Sequence, residues 1–174
     1  MAENNSEKIY VSYSRIHELV SLGCQKVIED NYTPEALVGV SSGGLMPVRI
    51  AKTFLKNRLG LKELPIYLVG FSNYDSKDVQ LSEPVLTQRF DSELEKRIAG
   101  KKILMVDEVD DSRKTLEKAA DYLLGLCVQE LRILVLHSKD KEKQGVLPEG
   151  VKFYYAEKVP PLWIKYQWDS ETLF

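Results

Sequence analysis

The amino-acid sequence predicts an α/β fold in which a central, mostly parallel sheet is flanked by helices. Short apolar runs alternate along the chain with stretches whose apolar residues recur at three- and four-residue steps, which is the pattern of strands alternating with amphipathic helices. The 174 residues suffice for one domain, 1–174. With 44% hydrophobic and 29% charged residues, the composition is that of a folded globular protein.

The predicted elements follow one another as repeated strand and helix units. A helix with Ser12 or Ser14 as its N-cap comes first. The predicted strands are 36–40, 64–69, 103–106, 133–136 and 153–156. A second helix is opened by Pro47, and a further helix carries an apolar stripe from Leu116 to Leu124. Because successive strands joined by helices run in the same direction, these units predict a parallel sheet covered on both faces.

Two segments depart from this regular pattern. The segment 71–97 has weak periodicity and is too long for an ordinary connection, which predicts a lid, a hairpin arm or a flexible loop. After Pro160 and Pro161 the chain ends in a short aromatic stretch in which we find no helical or strand repeat. The domain therefore divides into a core at about 14–157 and a small C-terminal segment at about 158–174.

Charge and cysteine content exclude several classes of protein. The 24 basic and 26 acidic residues give a formal net charge of -2, which argues against nucleic acid or an anionic membrane as a partner held by long-range attraction. An anionic ligand must therefore be held locally.

The chain shows neither a signal peptide nor a membrane span, so we expect a cytoplasmic protein. Cys24 and Cys127 are expected to be buried free thiols.

An acidic stretch follows the third predicted strand, at the sheet edge where open α/β proteins bind ligands. Four acids lie within five positions: Asp107, Glu108, Asp110 and Asp111. Residues 112–115 then lead into a helix, whose free N–H groups and hydroxyls form a cradle for an anion. Acids beside such a cradle suit sugar hydroxyls and Mg²⁺, so the pattern indicates a ribose phosphate. An ordinary N-cap with a solvated acidic turn is the alternative.

This stretch, 106–115, resembles the phosphoribosyl diphosphate (PRPP) motif of the type I phosphoribosyltransferases. The resemblance implies that Asp107 and Glu108 hold the ribose hydroxyls, directly or through Mg²⁺. It implies that the ribose 5′-phosphate site is formed by Asp111, Ser112, Arg113, Lys114 and Thr115. Asp111 is the implied acid/base or electrostatic partner of the purine N7, with Asp110 as the competing assignment. Arg113 stands where most members carry glycine, so its side chain either changes the backbone angles or contacts the phosphate.

A glycine loop and a later lysine extend the resemblance to the 6-oxopurine enzymes of that family, the xanthine-guanine and hypoxanthine-guanine phosphoribosyltransferases. The diphosphate loop would be formed by Ser41, Ser42, Gly43 and Gly44, often with a cis peptide bond. Ser42 stands where the family commonly has Lys or Arg. Lys139 matches the lysine that donates to the purine O6, and an ammonium favours a 6-oxo over a 6-amino group.

The C-terminal stretch 163–169 resembles the hood that covers the purine in these enzymes. It implies that Trp163 stacks on the base and that backbone groups near Ile164 and Asp169 read its edge. A core position or a dimer contact is the alternative for Trp163. Ser72 and Tyr74 resemble residues of the mobile loop that closes over the diphosphate.

Together these resemblances span 41–169 and imply a purine salvage enzyme, a pentosyltransferase that uses Mg²⁺. Its implied partners are PRPP and a purine base or nucleotide, and it would form a homodimer or a tetramer. One alternative is a PRPP-sensing regulator without catalysis, although the chain has neither a basic run nor a spare domain for nucleic acid. The other is a transferase for another base such as adenine, which Lys139 and the hood argue against.

Overall fold

The computed structural model describes residues 7–74 and 80–174. Its strands are β1 (Lys8–Val11), β2 (Ala36–Ser41), β3 (Ile66–Tyr74), β4 (Gln80–Gln88), β5 (Lys102–Asp110), β6 (Glu130–Lys139), β7 (Lys152–Val159) and β8 (Trp163–Tyr166). Its helices are α1 (Tyr13–Glu29), α2 (Leu45–Arg58), α3 (Ser92–Ile98) and α4 (Lys114–Gly125), followed by a 3₁₀ turn at Gln167–Asp169.

Six of the strands form one sheet in the order β4-β3-β2-β5-β6-β7. Neighbouring strands are parallel except β3 and β4, which are antiparallel. The predicted α/β fold with a mostly parallel sheet is confirmed. Because β2 and β5 lie at the centre, the loops that follow them meet at one edge of the sheet.

The core lies on both faces of this sheet. Along β5, Leu104 and Val106 pack under α1 and α2, whereas Ile103 and Met105 pack under α4. Successive residues of a strand point to opposite faces, so a strand covered on both sides is apolar throughout. That is why these strands appear in the sequence as continuous apolar runs.

The first helix begins where the sequence predicted it. Of the two candidate caps it is Ser12 that caps α1, and its hydroxyl accepts a hydrogen bond from the Arg15 N–H at 3.3 Å. The second helix starts at Leu45 and has Pro47 in its first turn, where a missing N–H removes no helical hydrogen bond.

Several strands run further than the apolar pattern predicted. The strand predicted at 103–106 continues to Asp110, so Asp107, Glu108 and Asp110 lie within β5, and Asp111 follows directly after its end. Strand β6 likewise extends to Lys139. Both strands continue because they pair with each other, with Asp110 opposite Ser138, and this pairing satisfies the backbone whatever the side chains are.

The irregular segment 71–97 forms a hairpin arm and a short helix. Its first part belongs to β3, β4 returns antiparallel to it, and α3 follows. Residues 75–79, which connect β3 and β4 in the sequence, lie outside the described part of the chain. A prediction about the cysteines was wrong in part: Cys24 is buried, but Cys127 is exposed, because it lies just beyond the end of α4 with a φ of 57°.

The C-terminal segment was predicted without regular structure, and this was wrong. Strand β8 pairs in parallel with β1, with Lys8 opposite Trp163, so the hood is a two-stranded sheet built from both ends of the chain. No pattern in the sequence indicated β1. Within the described residues, no helix combines the length and apolarity needed to cross a membrane.

Candidate functional site

A cavity of about 640 Å³ opens at the carboxyl ends of β2 and β5. Of the residues predicted from the sequence, it is lined by Ser41, Ser42, Gly43, Ser72, Asp107, Glu108, Asp111, Ser112, Arg113, Lys114, Thr115 and Trp163. The structure thus brings the acidic motif, the glycine loop and the hood tryptophan to one place.

Some predicted residues do not belong to this lining. Among the described residues, these are Gly44, Lys139, Ile164 and Asp169. Tyr74 ends β3, and its side chain is outside the described part of the chain. Sequence reasoning also missed part of the lining: Phe71, Asn73, Leu81, Ser82, Pro84, Val109, Lys141 and Gln144.

The glycine loop packs tightly against the end of β5. The peptide bond between Ser41 and Ser42 is cis, in agreement with the loop it resembles. A Cβ atom on Gly43 would lie 2.0 Å from the Glu108 carboxylate, and one on Gly44 would lie 2.6 Å from the carbonyl oxygen of Val106. Only glycine leaves room for these contacts, so the loop and the acidic motif form one wall.

Asp107 and Glu108 form a carboxylate pair that suits a cation. Asp107 is buried and accepts a hydrogen bond from the Glu108 N–H at 2.9 Å. Burial and the neighbouring Glu108 carboxylate raise the pKa of Asp107 well above its ordinary value. The Oε2 atom of Glu108 is buried without a hydrogen-bond partner among the described residues. A divalent cation would satisfy both groups, since carboxylate oxygens are the ligands that Mg²⁺ takes.

The protein would supply only part of such a coordination sphere. Within the described ranges, no group of three or more His, Cys, Asp or Glu side chains is placed to hold a metal ion. Mg²⁺ usually keeps several water ligands and shares its site with substrate oxygens. The pair is therefore suited to a cation that arrives with a phosphorylated ligand.

Asp111 lies in the cavity wall between two lysines. The Nζ atom of Lys139 is 2.8 Å from its Oδ2 atom, and Lys141 forms an ion pair with its Oδ1 atom. Burial raises the pKa of Asp111, but the hydrogen bonds from the two lysines outweigh burial and leave that pKa lowered. Asp111 is therefore an ionised carboxylate at neutral pH.

Asp110 has the opposite environment. Its side chain is fully buried and is held by Arg113, by the Ser138 hydroxyl at 3.1 Å and by the Lys143 ammonium at 3.1 Å. It does not belong to the described lining of the cavity. Of the two neighbouring acids, Asp111 is thus the one that a ligand can reach.

Arg113 adopts the left-handed backbone expected of the glycine it replaces, with a φ of 71° at the N-cap of α4. Its guanidinium is paired with the buried Asp110, with Nη2 2.7 Å from Asp110 Oδ2 and its central carbon 4.9 Å from the Phe153 ring centre. Arg113 thus keeps the backbone conformation of the glycine that it replaces, and its side chain adds contacts with Asp110 and Phe153.

The hairpin arm formed by β3 and β4 contacts the start of α4. The Asn73 side-chain amide donates to the Thr115 hydroxyl at 3.3 Å. The Lys114 ammonium donates to the carbonyl of Ser82 at 2.8 Å and pairs with Glu83 at 3.1 Å. These contacts place the arm over the anion cradle.

The hood is fixed to the acidic motif by Tyr166. Its hydroxyl donates to the Glu108 carbonyl at 3.0 Å and lies 2.8 Å from Nδ1 of His137. Burial raises the pKa of Tyr166, so the hydroxyl keeps the proton that it donates. The Trp168 ring stacks on Tyr166 with centres 4.6 Å apart. Trp163 is 63% exposed and lines the cavity.

The fold and the cavity define an α/β protein whose ligand site lies at the carboxyl ends of a parallel sheet and combines an anion cradle with paired acids. Residues 12–168 match the sequence profile of the phosphoribosyl transferase domain, and the chain belongs to this family. The family predicted from the motif at 106–115 is confirmed.

Relatives are similar along nearly their whole length. Xanthine phosphoribosyltransferase 1 of Saccharomyces cerevisiae is 34% identical over 206 residues, covering 99% of this chain and 94% of the relative. Hypoxanthine-guanine phosphoribosyltransferase of Schizosaccharomyces pombe is 31% identical over 189 residues, covering 95% and 91%.

Solved structures share the fold. A hypothetical protein from Neisseria gonorrhoeae with bound ppGpp is 30% identical with a TM-score of 0.83, covering 97% of this chain and 93% of that one. A purine phosphoribosyltransferase from Pyrococcus horikoshii is 23% identical with a TM-score of 0.72, covering 96% and 97%.

Proposed function

We propose that the protein is a purine salvage phosphoribosyltransferase. It transfers the 5-phosphoribosyl group of PRPP to a 6-oxopurine, hypoxanthine, guanine or xanthine, and releases the nucleoside 5′-monophosphate and diphosphate. The observation that carries the proposal is the ionised Asp111, paired with Lys139, in the wall of a cavity that also contains the cradle and the Asp107 and Glu108 pair. The names of the two yeast relatives support the same substrate class.

At the PRPP end, the 5′-phosphate binds at the start of α4. The N–H groups of residues 112–115, at the start of α4, have no hydrogen-bond acceptors within the helix and are therefore available to bind an anion. Asp107 and Glu108 hold the ribose hydroxyls. The diphosphate lies against the loop 41–44, which the small Gly43 allows to pack beside the Glu108 carboxylate.

Mg²⁺ is the proposed cofactor, held at Asp107 and Glu108. When bound, it neutralises charge on the diphosphate and makes it a better leaving group. The buried Glu108 Oε2 atom, which has no hydrogen-bond partner among the described residues, supports this position, because a bound cation would give it one.

At the purine end, Trp163 stacks on the base and Lys139 donates to O6. Lys139 must then turn from Asp111 to the purine, while Lys141 remains paired with Asp111 and keeps it ionised. An ammonium carries donors only, so it favours O6 of a 6-oxopurine over the amino group of adenine. Backbone groups near Ile164 and Asp169 read the opposite edge.

In the reaction, N9 forms a bond with ribose C1 as the bond from C1 to the diphosphate oxygen breaks. The proton on N7 passes to the Asp111 carboxylate, and the electron pair of the broken bond leaves with diphosphate. Asp111 is ionised before the purine arrives, so its carboxylate is in the form that accepts a proton. The arm over the cradle excludes water, which would otherwise capture the cation-like ribose.

The test is a spectrophotometric assay with Mg²⁺ and PRPP against hypoxanthine, guanine, xanthine and adenine in turn. We expect turnover with one or more of the 6-oxopurines and little with adenine. Turnover with adenine alone would overturn the assignment of Lys139. Omission of Mg²⁺ from the same assay tests the cofactor.

A nucleotide-sensing protein without catalysis is the second candidate. One observation favours it: the Neisseria gonorrhoeae protein of the same fold was solved with ppGpp, a guanine nucleotide that carries two diphosphate groups. Binding of PRPP and ppGpp without turnover of any of the four bases would support the sensor over the enzyme.

We also propose that the protein is a cytoplasmic homo-oligomer, a dimer or a tetramer. Exposed apolar side chains at the start of α2, Leu45 and Met46, support a partner surface there. Light scattering coupled to size exclusion measures the mass in solution, and a monomer at micromolar concentration would contradict the proposal.

A further inference from the structure

We infer that Arg113 and Asp110 are a pair of positioning residues that holds the phosphate cradle in its left-handed turn. The inference rests on the proposed function, since it assigns the turn to PRPP. Neither residue is given a direct role in the chemistry.

The turn before α4 has a backbone that ordinarily requires glycine. Arg113 has a φ of 71°, where a Cβ atom crowds the following carbonyl group. No side-chain hydrogen bond caps α4 at this residue within the described chain. Something other than local preference must therefore stabilise the turn.

The guanidinium of Arg113 supplies that stabilisation. Its Nη2 and Nε atoms reach the two carboxylate oxygens of Asp110 at 2.7 and 3.3 Å, a fork that fixes both position and orientation. Asp110 itself is immobilised in the core by the Ser138 hydroxyl. The Phe153 ring packs against the guanidinium in a cation–π contact.

The loop after β6 clamps the same turn from the other side. The Lys143 ammonium donates to the carbonyl oxygens of Asp110 at 2.7 Å and Asp111 at 3.0 Å. The Gly145 N–H donates to the Ser112 carbonyl at 3.0 Å. A Cβ atom on Gly145 would lie 2.7 Å from the Arg113 carbonyl carbon, so this loop packs directly on the turn.

The contacts of the guanidinium connect it to the fold. It is hydrogen-bonded to the buried Asp110 and lies against the Phe153 ring. Without Asp110, Arg113 loses the partner that stabilises its left-handed backbone. A glycine at position 113 adopts this backbone without a partner. The effect of losing Asp110 must therefore depend on which residue stands at 113.

Four variants test this dependence: Asp110→Ala, Asp110→Asn, Arg113→Gly and the double variant Arg113→Gly with Asp110→Ala. We expect Asp110→Ala to raise the KM for PRPP about tenfold, the effect of one uncompensated strained residue, and to leave the KM for the purine unchanged. The double variant should bind PRPP more tightly than Asp110→Ala alone. Asp110→Asn keeps the shape of the side chain and should show an intermediate effect.

The exposed pair Glu93 and Lys96 on α3 provides a matched control, because it has the same three-residue spacing and lies away from the cavity. Changing both to Ala should leave both KM values unaltered. Thermal unfolding of every variant separates loss of the fold from loss of the turn.

Two results would overturn the inference. One is a double variant whose loss of PRPP affinity equals the combined losses of Asp110→Ala and Arg113→Gly. The other is an equal rise in the KM values for PRPP and for the purine in Asp110→Ala. Failure of the wild-type protein to bind PRPP is a different result, because it would count against the proposed function itself.

Discussion

The Nζ atom of Lys139 lies 2.8 Å from the Oδ2 atom of Asp111, so the residue proposed to recognise the purine and the residue proposed to take its proton form an ion pair. Under these proposed roles, recognition and proton transfer are linked. A purine whose O6 accepts from Lys139 would draw the ammonium away from the carboxylate that faces N7. Lys141, on the other carboxylate oxygen, would remain paired with Asp111 during this exchange.

Replacement of Lys139 by Ala should weaken 6-oxopurine binding and preserve PRPP binding. Loss of a hydrogen bond to a charged donor costs about 1.5–3 kcal/mol, which corresponds to roughly a tenfold to hundredfold rise in the KM for the purine. Calorimetric titration with each substrate measures the two affinities separately. Lys158→Ala on the neighbouring strand β7 is the control, since its ammonium is exposed and pairs with Asp140. An unchanged purine affinity would remove Lys139 from recognition.

Asp111→Asn should lower turnover while the protein remains folded. The amide cannot accept the N7 proton, and loss of general acid/base catalysis typically costs about 10²–10⁴ in rate. Steady-state kinetics at saturating PRPP give kcat, and thermal unfolding checks the fold. Asp140→Asn makes the same chemical change at an exposed carboxylate and should be neutral. Near-normal turnover in Asp111→Asn would exclude Asp111 from the mechanism.

Trp163→Ala should raise the KM for the purine and leave stability unchanged. Stacking of a base on an aromatic ring is worth about 1–3 kcal/mol. The ring is 63% exposed, so its removal costs the fold little. Trp163→Phe keeps a stacking surface and should retain most of the affinity. If Trp163→Ala destabilises the protein instead, the alternative of a structural contact for this residue is correct.

The sequence predicted the family and the motif at 106–115 because their signals are local. Apolar runs mark buried strands, and small hydroxyl residues beside acids mark an anion site. The same local reasoning ended β5 at Val106, since polar residues usually end an apolar run. The strand continues to Asp110 because β6 pairs with it and because Asp110 finds partners in Ser138 and Arg113.

Contacts between distant parts of the chain left no local signal. Strand β1 has four residues and depends on β8, from the opposite end of the sequence, for its pairing. Nothing in the local sequence marks Lys143, yet its ammonium donates to the backbone carbonyl oxygens of Asp110 and Asp111. Tyr166 joins the hood to Glu108 across 58 positions. Such roles follow from the topology and not from spacing.

The burial of His137 makes the free energy of unfolding depend on pH. Its side chain is 1% exposed between Tyr166 and Glu157, and burial lowers the pKa of His137 to about 4 from the ordinary value of 6.5, although Glu157 acts in the opposite direction. Between these two values the unfolded chain holds a proton on this ring that the folded chain does not. Protonation therefore favours unfolding, and the contribution of the neutral ring is present in full above pH 6.5 and is lost as the pH falls toward 4.

The expected loss of unfolding free energy over this window is about 3 kcal/mol, from 1.36 kcal/mol for each pKa unit. Urea unfolding at pH 7.5 and pH 4.5 measures it in the wild type and in His137→Gln, which keeps polar atoms in the site without titrating. The variant should lose less stability than the wild type between the two pH values. His17→Gln, on the exposed face of α1, should behave as the wild type does. Equal losses in wild type and His137→Gln would show that other groups govern the acid sensitivity, because only the ring at 137 differs between them.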